Sequence, residues 1–528
     1  MQKKKFLWAE TSLLFIFLFC IFLVKPEGDF PLNDDWVYSS SAENLLNTGK
    51  LRLNDWVVAE SVFQIAWGAL FSLLFGFSFN VLRLSTAVLA FLGLLFFYLG
   101  LRKLGFDSLR SFFAALLLLF NPLFLPLSLT FMTEIPFFSL MLISLYFYVA
   151  GFQKKSSLLI LAGSLFAGMS LLVRQTGVFL PLGIFIFFFL RKELTIKKSL
   201  EIALIPFFLF LSYRYWFRFV HHSNWGHLVL VPLSLKNHYS SITLPAKEFF
   251  SRAARSAVYL GFFMFPLLLP VKEKEKRRRI SLTLLILMML GIFLLADGFY
   301  FSKGNPGSGN YMHSQGLGVV TLHQWSGKKA SFFGSSFLTV LLSLLALSAL
   351  YKLCTSTYRK NPAAMIYFIP ALLMMLFLFL GPYFYDRYIL IALPALIVLF
   401  LHSSPSYKLL PVSFSLALLA FYTLTGTQDY FAWNRAKWNL ARKAHGSGIK
   451  PEEIAGGMDY DGYYTFEKNM EYLKKIKPLK AIGQWEWQTL NPYHYMIAAS
   501  PSGKVAGSEE YRSWNSGRSE IYLLDIRR

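Results

Sequence analysis

Cysteine is nearly absent. Cys20 lies in the first apolar stretch and Cys354 in a basic loop, and two such residues cannot build a disulfide framework or a thiolate metal site. Charge is scarce as well, at 15% of residues against roughly 25% in soluble domains, which argues against an ordinary soluble globule. Acids are the scarcer sign, 29 against 52 Lys and Arg, leaving a formal +23. That surplus does not point to nucleic acid, because the basic residues sit in short loops between apolar stretches, where the positive-inside rule puts them. No period of a repeat architecture recurs. The glycine-rich GNPGSGN (304–310) lacks the GK[ST] ending of a P-loop and reads as a flexible loop that could serve as a lid. No small-residue cleavage site follows the first apolar run, Phe6 to Val24, before Lys25-Pro26-Glu27, so the run reads as an uncleaved anchor.

Apolar residues are what the chain has in abundance. They make up 55% of it, and the mean hydropathy is +0.47. Stretches of about 17 to 22 residues recur, long enough as helices to cross roughly 30 Å of hydrocarbon. They predict about thirteen spans, near 7–24, 80–101, 111–128, 134–152, 157–173, 177–190, 200–219, 254–271, 280–296, 332–351, 363–380, 387–402 and 407–425. Lys3 to Lys5 put the N-terminus in the cytoplasm. The stretch 60–76 is read as lying along the outer interface, because a further span there would turn basic clusters such as KEKEKRRR (272–279) outward. Loops 25–79, 220–253 and 297–331 then face outside.

After 427 the composition turns polar. DYFAWNRAKWNLARK looks helical, and YHYMIAAS and EIYLLDI look like strands. The expected fold is an all-α polytopic membrane protein over 1–427 with a small extracytoplasmic α/β domain over 428–528.

Chemistry is expected at the outer face, where the long loops carry acids, histidines and aromatics. The first loop holds Asn33-Asp34-Asp35-Trp36-Val37-Tyr38 and runs on to Gly49. Asn33 or Asp34 can cap a helix that Gly49 ends, and acids at a helix start are favoured by its dipole in any case. Glu134 opens a span, where a carboxyl is costly unless paired or functional. Arg174 and Arg387 fall at outer helix ends. A guanidinium fork there suits a phosphate, and snorkelling to the interface is the ordinary alternative. His221, His222 and His227 in the second loop are the candidates for a divalent metal, which imidazole together with a carboxylate such as Glu60 would suit; solvated loop histidines are commoner.

The acidic pair Asp34-Asp35, Tyr38 and the closing Gly49 resemble the first-loop signature of the GT-C glycosyltransferases, in the branch of protein O-mannosyltransferases and lipid A aminoarabinose transferases. Arg83-Leu84-Ser85, Thr133-Glu134-Ile135-Pro136, Arg174-Gln175-Thr176-Gly177, and Arg387-Tyr388 before Pro394 follow in the matching order. The resemblance implies transfer of a sugar from a polyprenyl phosphate to an acceptor (lipid, glycan, protein or polyol) outside a prokaryotic plasma membrane. It implies Asp34, with Asp35 and Glu134, as the catalytic acids. Arg174, Arg387 and Tyr388 would hold the donor phosphate, with Tyr38 and Glu60 as further candidates. One departure stands out: where many members carry Lys-Pro-Pro, this chain reads Ala59-Glu60-Ser61-Val62-Phe63. The competing reading is a transporter or lipid flippase, which commonly shows internal repeats and midplane charges; here the acids fall at span ends.

Overall fold

The computed structural model describes residues 2–222, 224–240, 243–268, 310–313, 316–322, 361–403, 409–515 and 517–527. The expected spans 280–296 and 332–351, the cluster 272–279, Cys354 and nearly all of GNPGSGN lie outside them.

The chain opens with α1 (Gln2–Val24), and α2 (Asp35–Thr48) follows in the first loop. Gly49 closes α2 in the left-handed conformation, φ 68°, with its N–H donating to Leu45 O at 2.9 Å, a backbone state that glycine adopts without penalty. Next comes α3 (Val62–Phe75), the stretch read as interfacial. Its 14 residues reach about 21 Å, short of a bilayer core. The helices α4 (Phe79–Lys103) and α5 (Ser108–Leu119) come after it. The expected span 111–128 is not one helix: it breaks at Asn121-Pro122 and resumes as the single turn α6 (Phe124–Leu127). Proline clashes with the preceding turn and cannot donate to it.

Then follow α7 (Glu134–Lys154), α8 (Ser157–Leu171), α9 (Phe179–Leu190) and α10 (Ile196–Phe219). The second large loop is itself helical, with α11 (Val231–His238) and α12 (Thr243–Leu268); α12 starts eleven residues before the expected span at 254. After α13 (Met365–Leu380), residues Asp386–Ala392 wind as a 3₁₀ segment into α14 (Leu393–Ser403). Among the described residues, five helices are long and apolar enough to cross a membrane: Phe79–Lys103, Glu134–Lys154, Ile196–Phe219, Pro362–Leu380 and Leu409–Gly446.

The last of these, α15 (Leu409–Gly446), runs unbroken through 38 residues, past the compositional change at 427. The tail continues with α16 (Met458–Ile476) and the short α17 (Glu486–Thr489). Its sheet joins β3 (Ile454–Ala455), β4 (Tyr495–Ala498), β5 (Lys504–Ser513) and β6 (Gly517–Asp525) in the order β3-β4-β6-β5. The hairpin β1 (Met312–His313) and β2 (Gly316–Leu317) lies earlier, in the third loop. The strands β3 and β4 are parallel and the other pairs antiparallel, with Met496 opposite Leu524 and Glu509 opposite Ile521.

An aromatic cluster fastens the tail to the loops. Trp56 of the first loop packs against Trp225 of the second, and against Phe466, Trp485 and Trp487 of the tail, with ring centroids 5.5–6.0 Å apart. The Trp225 indole N–H donates to Ile482 O at 3.2 Å. Such ring pairs add to the burial of their large apolar faces.

Candidate active site

The sequence-predicted acids and arginines come together where α2, the start of α7, the turn after α8 and the 3₁₀ segment before α14 meet. Glu134 is the hub. Its Oε1 accepts from Arg174 Nη1 at 2.9 Å and from Arg387 Nε at 2.7 Å. Arg174 also donates to Thr133 Oγ1 at 2.7 Å. Aromatic rings flank the cations: Arg174 lies over Tyr388 at 4.8 Å, and Arg387 over Tyr385 at 4.4 Å, contacts favoured by the ring quadrupole. Arg387 and Glu134 are buried, whereas 17% of the Arg174 side chain remains accessible. This is not the geometry of snorkelling. Both guanidinium groups are fixed by one carboxylate, with Glu134 as their anchor.

The two aspartates of the first loop differ sharply. Asp34 occupies the position before α2, yet its carboxylate makes no capping hydrogen bond, contrary to the capping role expected for it or Asn33. It is only partly buried, and among the described residues it accepts no side-chain hydrogen bond. It faces Arg387 and Glu134, with Asp459 of α16 also within electrostatic reach; burial pushes its carboxyl up to about 6 against the pull of the Arg387 guanidinium. Asp35 is fully buried. Its Oδ1 accepts the Phe131 N–H at 3.0 Å and its Oδ2 the Leu32 N–H at 3.3 Å. A carboxylate so occupied ties the first loop to the approach of α7, and nothing in this geometry aims it at a ligand. Tyr38 stands one helical turn beyond Asp34, buried, with Thr133, Glu134 and Arg174 around it; burial holds its hydroxyl protonated.

Glu60 lies beside Arg174 and Arg214, buried, with burial pushing its carboxyl up to about 8. Among the described residues its Oε2 meets no hydrogen-bond donor. Ser61 adopts φ 53° and donates its N–H to Val173 O at 3.1 Å.

The histidines do not assemble as the metal reading required. His221 Nε2 accepts the Leu53 N–H at 2.9 Å, His227 Nδ1 pairs with Asn224 Oδ1 at 2.8 Å, and His222 is exposed. Both His221 and His227 pack on the Phe217 ring, and burial lowers both, His227 to about 4. Among the described residues no three His, Cys, Asp or Glu groups converge as a ligand set. These rings join the loops, and no step is routed through a metal there.

Two contributors escaped the sequence reading. Asp386, next to Arg387, accepts the N–H groups of Tyr311 (2.8 Å) and Met312 (2.7 Å) and so pins the third loop beside the cluster. Its only signal was an acid abutting a candidate arginine. The other is the pair Lys437–Asp459, wholly buried in the tail. Arg83, part of the motif entering α4, donates to the carbonyls of Pro26 and Gly28 at 3.0 and 2.6 Å; it ties down the start of the first loop.

Residues 64–231 match the family model of the dolichyl-phosphate-mannose-protein mannosyltransferases, which supports the resemblance to membrane glycosyltransferases of the GT-C superfamily. No curated protein matches the chain. Among solved structures, ArnT from Cupriavidus metallidurans in the apo state is similar at 15% identity over 97% of this chain and 98% of that one, TM-score 0.38. The oligosaccharyltransferase AglB from Archaeoglobus fulgidus, in complex with an inhibitory peptide and a dolichol-phosphate, is similar at 14% identity over 93% and 69%, TM-score 0.47. Superpositions this loose add nothing to the sequence match.

Proposed function

We propose that this multi-pass membrane protein is a glycosyltransferase that moves a sugar from a polyprenyl phosphate to an acceptor hydroxyl at the outer face of the membrane. The observation that carries this reading is Asp34, a carboxylate without a hydrogen-bond partner among the described residues, facing two arginines that one glutamate holds in place. The family match supplies the donor class. In the reaction the acceptor oxygen attacks the anomeric carbon as the bond from that carbon to the phosphate oxygen breaks. Asp34 takes the acceptor's proton. Arg174 and Arg387 stabilise the charge on the departing polyprenyl phosphate, and Tyr388 flanks them. Glu134 and Asp35 position these groups. Glu60, in place of the family's lysine stretch, offers its unpartnered oxygen to a hydroxyl of the donor sugar. The N-terminus then lies in the cytoplasm and the tail outside, in the plasma membrane.

The test uses purified full-length protein in nanodiscs, supplied with undecaprenyl-phosphate mannose, glucose or galactose and an envelope extract as acceptor. Release of undecaprenyl phosphate is expected with at least one donor and is lost in Arg387→Ala. No release above that control from any of the three overturns the reading.

The same assay carries a pH prediction. Asp34 is a base only when ionised, and burial raises its carboxyl to about 6. Release should therefore be full above pH 7 and fall as the pH drops through about 6, approaching tenfold per unit below it. A rate flat from pH 7.5 to 5 would exclude Asp34 as the base.

A further inference from the structure

The tail domain reaches the transfer site through one buried ion pair. Lys437, on α15, donates to both carboxylate oxygens of Asp459, at 2.6 and 2.5 Å, and to Thr321 Oγ1 at 3.2 Å. Both charged side chains are 0% exposed, and the rings of Trp433 and Trp438 flank the ammonium at 5.5 and 5.4 Å. Asp459 lies in the first turn of α16, whose Met458 N–H donates to Thr321 O at 3.1 Å. The next turn presents Gly462 to Trp36, two residues from Asp34. A Cβ on Gly462 would overlap the indole, so only glycine lets α16 approach that closely. Stability alone does not account for a buried pair here, since apolar side chains of similar volume often serve as well or better.

We infer that Lys437 and Asp459 are positioning residues of the transfer site: the pair, tied to Thr321, seats the start of α16 against the Asp34 loop and fixes the charge that Asp34 meets from the tail domain. This rests on the glycosyltransferase reading. Among the described residues, the charged and titratable groups facing Asp34 are Asp35 and Tyr38 from α2, Glu134 from α7, Tyr385 and Arg387 from the segment before α14, and Asp459 from α16. All but Asp459 belong to the membrane part or its first loop. Behind Asp459 stands Lys437, which compensates it. The tail thus borders the Asp34 loop, with its own charge in the balance there.

The experiment follows undecaprenyl phosphate release against pH in the full-length protein. Asp459→Asn removes an anion near Asp34 and leaves the Lys437 cation uncompensated, which favours ionised Asp34. The acid limb should move to lower pH by about half a unit to one unit. Lys437→Met together with Asp459→Asn removes both charges and should return the midpoint to that of the wild type. A midpoint unmoved in Asp459→Asn, or one displaced as far in the double variant, overturns the inference. If Asp459→Asn does not accumulate as folded protein, Gly462→Ala tests the seating alone. It displaces α16 with every charge intact, so kcat should fall about tenfold or more while the donor KM holds, because small misplacements cost rate. An unchanged kcat in that variant also overturns it. Wild-type protein that releases nothing refutes the glycosyltransferase reading itself, an outcome separate from an unmoved midpoint.

Discussion

Asp34→Asn is expected to abolish transfer, by about 10²–10⁴-fold, in a protein that remains folded and still binds donor. Asparagine has the size of aspartate but cannot take a proton from an attacking hydroxyl. Because the Asp34 carboxylate makes no capping bond to α2, the change removes no structural hydrogen bond, and stability should stay within a few tenths of a kcal/mol. Asp35→Asn makes the contrast. Its two oxygens accept N–H groups from Leu32 and Phe131; an amide would set its own NH₂ against one of those donors. That variant should lose about 1–3 kcal/mol of stability. Thermal denaturation beside the release assay separates the two aspartates. Near-normal release by Asp34→Asn would refute the base assignment.

Arg387→Ala is expected to weaken donor binding about ten- to a hundredfold, the loss of a charge-assisted hydrogen bond worth about 1.5–3 kcal/mol. Lysine there should recover only part, because it lacks the fork. The same substitution removes one of the two cations on Glu134, and breaking a buried pair is itself destabilising. Glu134 keeps its bond from Arg174 in that variant, so thermal denaturation beside the binding assay separates the two effects: affinity for undecaprenyl phosphate should fall whatever the change in stability. Unchanged affinity would make Arg387 a partner of Glu134 and nothing more. Effects at Arg387 and Arg174 should not simply add, since they share one carboxylate oxygen.

The acids, the arginines and α2 were legible because each carries a local signal: an acidic pair ahead of an apolar helical face, a glycine able to turn left-handed, a cation where an apolar run begins. The order of these motifs also carried the resemblance to one family. What the sequence withheld depends on distance. Lys437 and Asp459 pair across 22 positions in a segment that reads as an ordinary polar tail, and Trp56 meets Trp485 and Trp487 with no periodicity to announce it. The difference in partners between Asp34 and Asp35 was invisible for the same reason, since Phe131, which occupies Asp35, lies 96 residues away. The boundary at 427 followed hydropathy, and helix continuity does not: polar and apolar residues propagate a helix about equally well, so α15 passes straight through.

That continuity constrains how the tail can move. A 38-residue helix is a rod of about 57 Å, with Lys437 on its C-terminal part and apolar turns on its N-terminal part. A domain joined by a flexible linker could swing aside like a lid to admit an acceptor; this one has no such hinge at its point of attachment. Lifting the tail requires α15 to tilt as a lever arm whose fulcrum is in the hydrocarbon. Helix tilt responds to bilayer thickness, so the seating of the tail on the first loop is coupled to the lipid around the protein.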